Sequence, residues 1–320
     1  MYIIIPNRKI FSKIKIMNIL LTGSNGMLGK SISKFLAQQN FRTFLHSRDV
    51  FDVKDQKKLS KYISEKKIDL IIHCASVVTG IHGQKKYGHE ILYDNQLIDK
   101  SVINSALNNN VKNFIYISSS SIYPPSDYPL QEKDILTGEP DPGNFYYSTS
   151  KLITTMVLKK IDKSLELNYK TLVCPNLFGL NDRQDPNTSH LINAIFNKCL
   201  EFKKGKVKEI EIWGDGRAKR EFLFSDNVSD YIAAYCIGNM SKLPSILNIG
   251  TGEDYSIKEY YEMVCEILEI EKKFSFLTNM PSGANRKLMD ISLSKKHLWE
   301  PKITLQEGLN MLWRGEFKNN

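Results

Sequence analysis

Asn18 to Gly29 restrict the chain more than any other stretch, because an apolar strand, Asn18 to Thr22, runs directly into glycines at 23, 26 and 29. A helix-like segment, Met27 to Gln39, follows. Glycines at this spacing permit a tight turn and let backbone N–H groups and a helix N-terminus approach a pyrophosphate closely. The stretch therefore predicts the first βαβ unit of a dinucleotide-binding sheet. Gly23, Ser24, Asn25, Gly26, Met27, Leu28 and Gly29 are its candidate cofactor contacts.

The rest of the first half keeps the alternation that parallel sheets require. Further strand-like runs are Arg42 to His46, Asp69 to Cys74, Asn113 to Ser118 and Lys170 to Cys174. Helical stretches are expected at Asp55 to Lys66, Asn95 to Asn109 and from about Tyr147 onward. After about residue 175 the texture turns to mixed short elements, with a strand at Ile246 to Ile249 and a helix at Ser256 to Leu268 returning to the main sheet. The expected fold is α/β: a Rossmann-type doubly wound parallel sheet with a smaller mixed α/β substrate-binding lobe. Residues 1–16 read as an extension, 17–175 as the dinucleotide-binding domain carrying the catalytic residues, and 176–320 as mainly the lobe, interleaved with returning sheet elements.

Composition narrows the function classes. With 42% apolar and 25% charged residues among 320, the chain is ordinary globular material. Its net charge of +9 comes mostly from dispersed lysines rather than a basic block, a pattern that suits anionic ligands and is equally explained by a lysine-rich coding bias, so no nucleic acid partner is expected from it. Five scattered cysteines suggest neither a disulfide framework nor a metal site. No apolar run is long enough to span a membrane, and residues 1–16 lack the features of a secretory signal, so the expected compartment is the cytoplasm.

The second strand ends in Leu45-His46-Ser47-Arg48. An acid there would accept from a ribose 2′-hydroxyl, whereas an arginine favours a 2′-phosphate, so Arg48 points to NADPH/NADP+. Asp52 is placed beside the adenine. Farther on, Tyr147 and Lys151 stand four residues apart, which on a helix sets them on one face. A phenol titrates near about 10, and bringing it to about 7 takes roughly 4 kcal/mol of differential stabilisation, toward which an adjacent ammonium contributes. Ser119, just past an apolar strand, can hydrogen-bond a substrate carbonyl while the tyrosine supplies a proton.

On these residues the chain resembles the extended short-chain dehydrogenases, and within them the GDP-L-fucose synthases. The resemblance covers roughly residues 17 to 315 and includes S-x-x-I-Y-P at Ser119 to Pro124, N-L-F-G at Asn176 to Gly179, N-T-S-H at Asn187 to His190, I-W-G-D-G at Ile212 to Gly216, K-R-E-F-L at Lys219 to Leu223 and G-A-N-R-K-L-M-D at Gly283 to Asp290. It implies that Ser119, Tyr147 and Lys151 are catalytic, that Asn176 and Leu177 belong to the cofactor pocket, and that His190 is an acid in epimerisation. Lys198, Trp213, Arg220 and Lys287 fall where the family grips a nucleotide diphosphate. A GDP-linked keto-sugar as substrate and a homodimer as assembly follow from the same resemblance.

The chain departs from the family two residues after the catalytic serine, where Ser121 replaces a cysteine that works with the histidine to move protons beside the keto group. A thiol can supply thiolate as a base, and a hydroxyl cannot without a base of its own. Reduction at C4 is therefore expected to persist and C3/C5 epimerisation to be weak or lost. Two further departures are Val77-Val78-Thr79-Gly80 and Pro281-Ser282-Gly283. Rival readings are the bifunctional epimerase-reductase, a 4-epimerase or 4,6-dehydratase on the same scaffold, and a non-catalytic dinucleotide-binding redox sensor. Ser120 and Ser121 stand where a dehydratase places its acid pair, and a sensor has no need of Ser119, Tyr147 and Lys151.

Overall fold

The computed structural model describes residues 16–79, 81–182, 190–280 and 284–318. Its strands are β1 (Asn18–Thr22), β2 (Arg42–His46), β3 (Leu70–His73), β4 (Asn113–Ser119), β5 (Asn168–Cys174), β6 (Asn176–Phe178), β7 (Ile210–Trp213), β8 (Lys219–Arg220), β9 (Phe222–Phe224), β10 (Ile246–Asn248), β11 (Tyr255–Ser256) and β12 (Phe274–Leu277). Its helices are α1 (Met27–Leu36), α2 (Gln56–Lys66), α3 (Ile81–Asn108), α4 (Phe145–Ser164), α5 (Leu191–Lys203), α6 (Ser225–Tyr231), α7 (Ile257–Leu268), α8 (Ser292–Lys295) and α9 (Leu305–Leu312).

Six strands form one parallel sheet in the order β10-β5-β4-β3-β1-β2. Every residue of β3 and nearly every residue of β1 is buried, which is why these runs read as continuously apolar rather than alternating. From β1 the chain moves outward to β2 and then crosses back to β3 on the other side, so a crevice opens beyond the strand ends between β1 and β3. The glycine turn and the ends of β3 and β4 all border that edge.

Two boundaries differ from the periodicity by more than two residues. Helix α1 stops at Leu36 because the next N–H groups close tighter turns, Gln38 to the Phe35 carbonyl at 3.2 Å. Helix α3 begins at Ile81 rather than near Asn95, with a bend at Tyr87 (φ −128°, ψ 23°). Gly83 and Gly88 dilute the helical signal of its first turns. Gly88 is there for a tertiary reason: a Cβ on it would lie 2.0 Å from the Tyr146 ring, so glycine lets α4 pack closely just before Tyr147.

The second lobe carries three two-stranded sheets, β11-β8, β12-β7 and β6-β9. Its own core includes Phe178, Phe196, Phe222, Phe224, Tyr260 and Leu309. The chain does not stay in this lobe. Helix α6 packs on α1 through Asp226, which accepts from Ser31 Oγ at 2.6 Å and Lys34 Nζ at 3.0 Å, and β10 then joins the main sheet beside β5. Buried Glu221, between β8 and β9, accepts from the Gly252 and Met289 N–H groups at 2.9 and 2.8 Å and so binds the lobe to the returning segment.

Candidate active site

The turn after β1 is shaped by contact with β3. Gly23 has φ +70°, and a Cβ there would lie 2.6 Å from the Ala75 nitrogen; one on Gly29 would lie 2.2 Å from the Gly23 carbonyl oxygen. Gly26 is the N-cap of α1 and offers no side chain, and the first turn of the helix carries no acid. The first-turn N–H groups, from Met27, Leu28 and Gly29, are thus left to an external anion, and the residues present fit a dinucleotide pyrophosphate.

Ser24 and Asn25 clasp the exit of β2. Ser24 Oγ donates to the His46 carbonyl at 3.0 Å, and Asn25 Nδ2 donates to Asp49 Oδ2 at 3.2 Å. Asp49, absent from the sequence reading, also accepts from Ser47 Oγ at 3.1 Å and so holds the loop that presents exposed Arg48. Asp52 accepts from the Lys54 N–H at 2.9 Å and turns the chain into the approach to α2.

Ser119 ends β4, and Tyr147 and Lys151 occupy the first two turns of α4. Two buried contacts lock helix to strand: Lys151 Nζ donates to the Ile117 carbonyl at 3.0 Å, and Ser118 Oγ pairs with Thr155 Oγ1 at 2.9 Å. The Lys151 ammonium lies 5.9 Å from the Tyr147 ring centroid and 4.5 Å from that of Tyr116. Burial, with Asp99 and Cys174 adding to it, pushes the Tyr147 phenol above its ordinary range. The sequence spacing suggested a shift the other way. Desolvation is the largest cause, and the group is held as a proton donor.

Ser119 Oγ accepts from the Ser121 N–H at 3.2 Å, and the Asp141 N–H donates to the Ser121 carbonyl at 3.0 Å, so the backbone of Ser121 is fixed. Its buried Oγ has no hydrogen-bond partner among the described residues. His190, the N-cap of α5, has Nδ1 2.9 Å from each oxygen of buried Asp182. Asp182 carries no motif and was not singled out in the sequence. Of the N-T-S-H run, Asn187 to Ser189 lie outside the described residues, as do Gly80 and Pro281 to Gly283.

In the second lobe, Lys198 Nζ donates to the Glu211 carbonyl at 2.9 Å and sits 5.4 Å from the exposed Trp213 ring centroid. Arg220 donates from one nitrogen to the carbonyls of Lys219 and Ala284 at 2.7 and 2.6 Å. Lys287 forms a buried ion pair with Asp141, and the charge of Asp141 also acts on Arg220. The four residues therefore stand as two groups, Lys198 with Trp213 and Arg220 with Lys287, joined by the turn between β7 and β8. Asn176 Nδ2 donates to the Glu221 carbonyl at 3.2 Å, and Leu177 pairs in register with Leu223.

Comparison with known proteins places this geometry. The model of the NAD dependent epimerase/dehydratase family matches residues 19–250. GDP-L-colitose synthase of Yersinia pseudotuberculosis is 34% identical over 296 residues, 92% of this chain and 96% of that protein. GDP-L-fucose synthase of Azorhizobium caulinodans is 33% identical over 298 residues, covering 92% and 95%. Among solved structures, a GDP-mannoheptose C4 reductase from Campylobacter jejuni with NADP bound superposes with a TM-score of 0.80 at 26% identity, covering 93% of this chain and 98% of that one.

Proposed function

The chain belongs to the NAD dependent epimerase/dehydratase family, and from that premise we propose that it is an NADPH-dependent oxidoreductase that reduces C4 of a GDP-linked 4-keto-6-deoxy-sugar or 4-keto-heptose. The observation that carries the reading is the locked pair of elements. Lys151 bonded to the Ile117 carbonyl holds α4 against β4, so Ser119 and Tyr147 share one end of the sheet beside the glycine turn.

NADPH, when bound along that turn, supplies the reducing equivalent. The protein's own residues do the rest. The Ser119 hydroxyl donates to the keto oxygen, and Tyr147, kept protonated by its buried setting, gives its proton to the developing alkoxide. Lys151 offsets the phenolate that this leaves. Trp213 offers a face for the guanine, while Lys198, Arg220 and Lys287 supply cations for the diphosphate.

Ser121 supports reduction without epimerisation, because its hydroxyl has no base beside it among the described residues. A second reading, the bifunctional epimerase-reductase, draws on His190, whose ring is held by Asp182 as a proton-transfer group would be.

We further propose a homodimer through α3 and α4, where Tyr93, Leu97, Ile153 and Val157 are exposed around a groove of about 560 Å³. The compartment proposed is the cytoplasm: the five cysteines are free, and no described helix is long and apolar enough to cross a membrane.

The test is incubation with NADPH and a panel of GDP-4-keto sugars, following NADPH oxidation and identifying products by NMR. Reduction at C4 is expected. Tight NADPH binding with no reduction of any keto-sugar would favour the sensor reading instead.

A further inference from the structure

Beneath Lys151 lies a chain of buried polar groups that the reaction as described does not use. Asp99, on α3, is buried, and its carboxylate accepts three hydrogen bonds: from His73 Nε2 at 2.9 Å, Tyr116 OH at 2.8 Å and Thr154 Oγ1 at 2.7 Å. His73, at the end of β3, shares a further hydrogen bond between Nδ1 and Thr22 Oγ1 at 2.6 Å. Because the carboxylate can only accept, the Nε2 hydrogen of His73 is the one donated to Asp99. Thr22 directly precedes Gly23, and Thr154 is three residues past Lys151. The network therefore runs from the glycine turn through β3, α3 and β4 to the catalytic helix.

A buried ammonium needs a counter-charge. Burial pulls Lys151 below its ordinary range, and Asp99 leads the groups that oppose this, ahead of Cys74 and Cys174. Burial pushes the Cys74 thiol up to about 12 and raises Cys174 further, so both are neutral. Tyr116 connects the two charges physically, with its ring against the Lys151 ammonium at 4.5 Å and its hydroxyl on Asp99. Burial works against the charge of Asp99, yet His73, Lys151 and Thr154 together hold its carboxyl below the usual range.

We propose that Asp99 is a positioning residue for the reduction, the buried counter-charge that keeps Lys151 an ammonium while Tyr116 and Thr154 hold the carboxylate under it. The role assigned to Lys151 rests on the reductase reading above. The groups facing this pair are His73 and Cys74 from β3, Tyr116 from β4, Tyr147 and Thr154 from α4, and Cys174 from β5. Of these only Tyr147 changes charge during turnover, while Lys151 stays an ammonium beside it. Removing the carboxylate eases loss of the proton from both, since it favours the ammonium of Lys151 and disfavours the phenolate of Tyr147.

The test compares the full chain with Asp99→Asn in two measurements. In the first, ¹⁵N-lysine NMR follows the Nζ of Lys151, assigned by its loss in Lys151→Met, through a pH titration without substrate. The midpoint is expected about one pH unit or more lower in Asp99→Asn. In the second, the alkaline limb of kcat is expected to move to lower pH by a similar amount, with KM for the keto-sugar nearly unchanged. A Lys151 midpoint that does not move overturns the proposal, as does a uniform fall in kcat with the limb in place, the mark of a merely structural residue. Should Asp99→Asn fail to fold, Tyr116→Phe keeps the ring and removes one donor to the carboxylate. A smaller downward shift of the Lys151 midpoint is expected there, and none overturns the idea. Because the NMR arm needs no substrate, a failed reductase reading and a failed Asp99 role give different results.

Discussion

Asp141 and Lys287, 146 residues apart in the chain, meet as a buried ion pair between the loop before α4 and the segment that follows Ala284. The same Asp141 donates its N–H to the Ser121 carbonyl at 3.0 Å and accepts from the Gly143 N–H at 3.0 Å. One residue thus ties Lys287, by its carboxylate, to the turn that carries Ser119 and Ser121, by its N–H.

That pair predicts a pH-dependent stability difference. Burial opposes the charge of Asp141, but Lys287, with Asn144 and the Gly143 N–H, outweighs it and holds the carboxyl below its usual range. A lowered folded value means that its stabilisation is complete above the unfolded value, about 3.9, and is lost as pH falls through the folded one. Lys287→Met leaves a buried unpaired carboxylate and should cost about 3 kcal/mol at pH 7. Protonation relieves that charge, so the gap between variant and parent should narrow by pH 4.5 in urea melts. An equal gap at both pH values would remove the pair from this role.

Tyr147→Phe should lower kcat by about 10² or more while leaving NADPH binding nearly intact, because only the proton donor is lost. Steady-state kinetics and a fluorescence titration with NADPH separate the two effects. Activity near that of the parent would exclude Tyr147 as the donor.

Arg48 is exposed beside the loop that Asp49 holds. The parent should prefer NADPH to NADH, and Arg48→Ala should erode the preference by removing a charge-assisted contact to the 2′-phosphate. Equal kcat/KM for the two cofactors in the parent counts against the assignment.

Ser121 sets up the third catalytic test. In D₂O with a 4-keto substrate and no NADPH, deuterium enters C3 or C5 only through an enolate, which a positioned base must generate. No enzyme-dependent uptake is expected from the parent, and uptake is expected to appear in Ser121→Cys. Rapid incorporation by the parent would establish the epimerase-reductase reading, with His190 and Asp182 supplying the base.

Much of the fold and the central site was legible in the chain because the signals are local. The Gly23, Gly26 and Gly29 spacing is a local pattern, although what Gly23 makes room for is the backbone at Ala75, and the Tyr147–Lys151 spacing places both on one helical face whatever surrounds them. The runs that became β1, β3 and β4 were recognisable because strands buried on both faces are mostly apolar, whereas β2 is a half-exposed edge strand. The start of α3 was not recognisable, since Gly83 and Gly88 weaken its pattern and the reason for Gly88 is a ring on another helix.

Only the tertiary structure decided how charges meet. Asp99 with His73 and Tyr116, Asp182 with His190, and Asp141 with Lys287 carry no periodic or spacing signal. It likewise reversed the expected direction for Tyr147, because desolvation depends on what covers a side chain and not on its neighbours in sequence. Residue types and local spacing determined which groups could perform the chemistry. Long-range packing determined which are ionised, which are held in place, and by what.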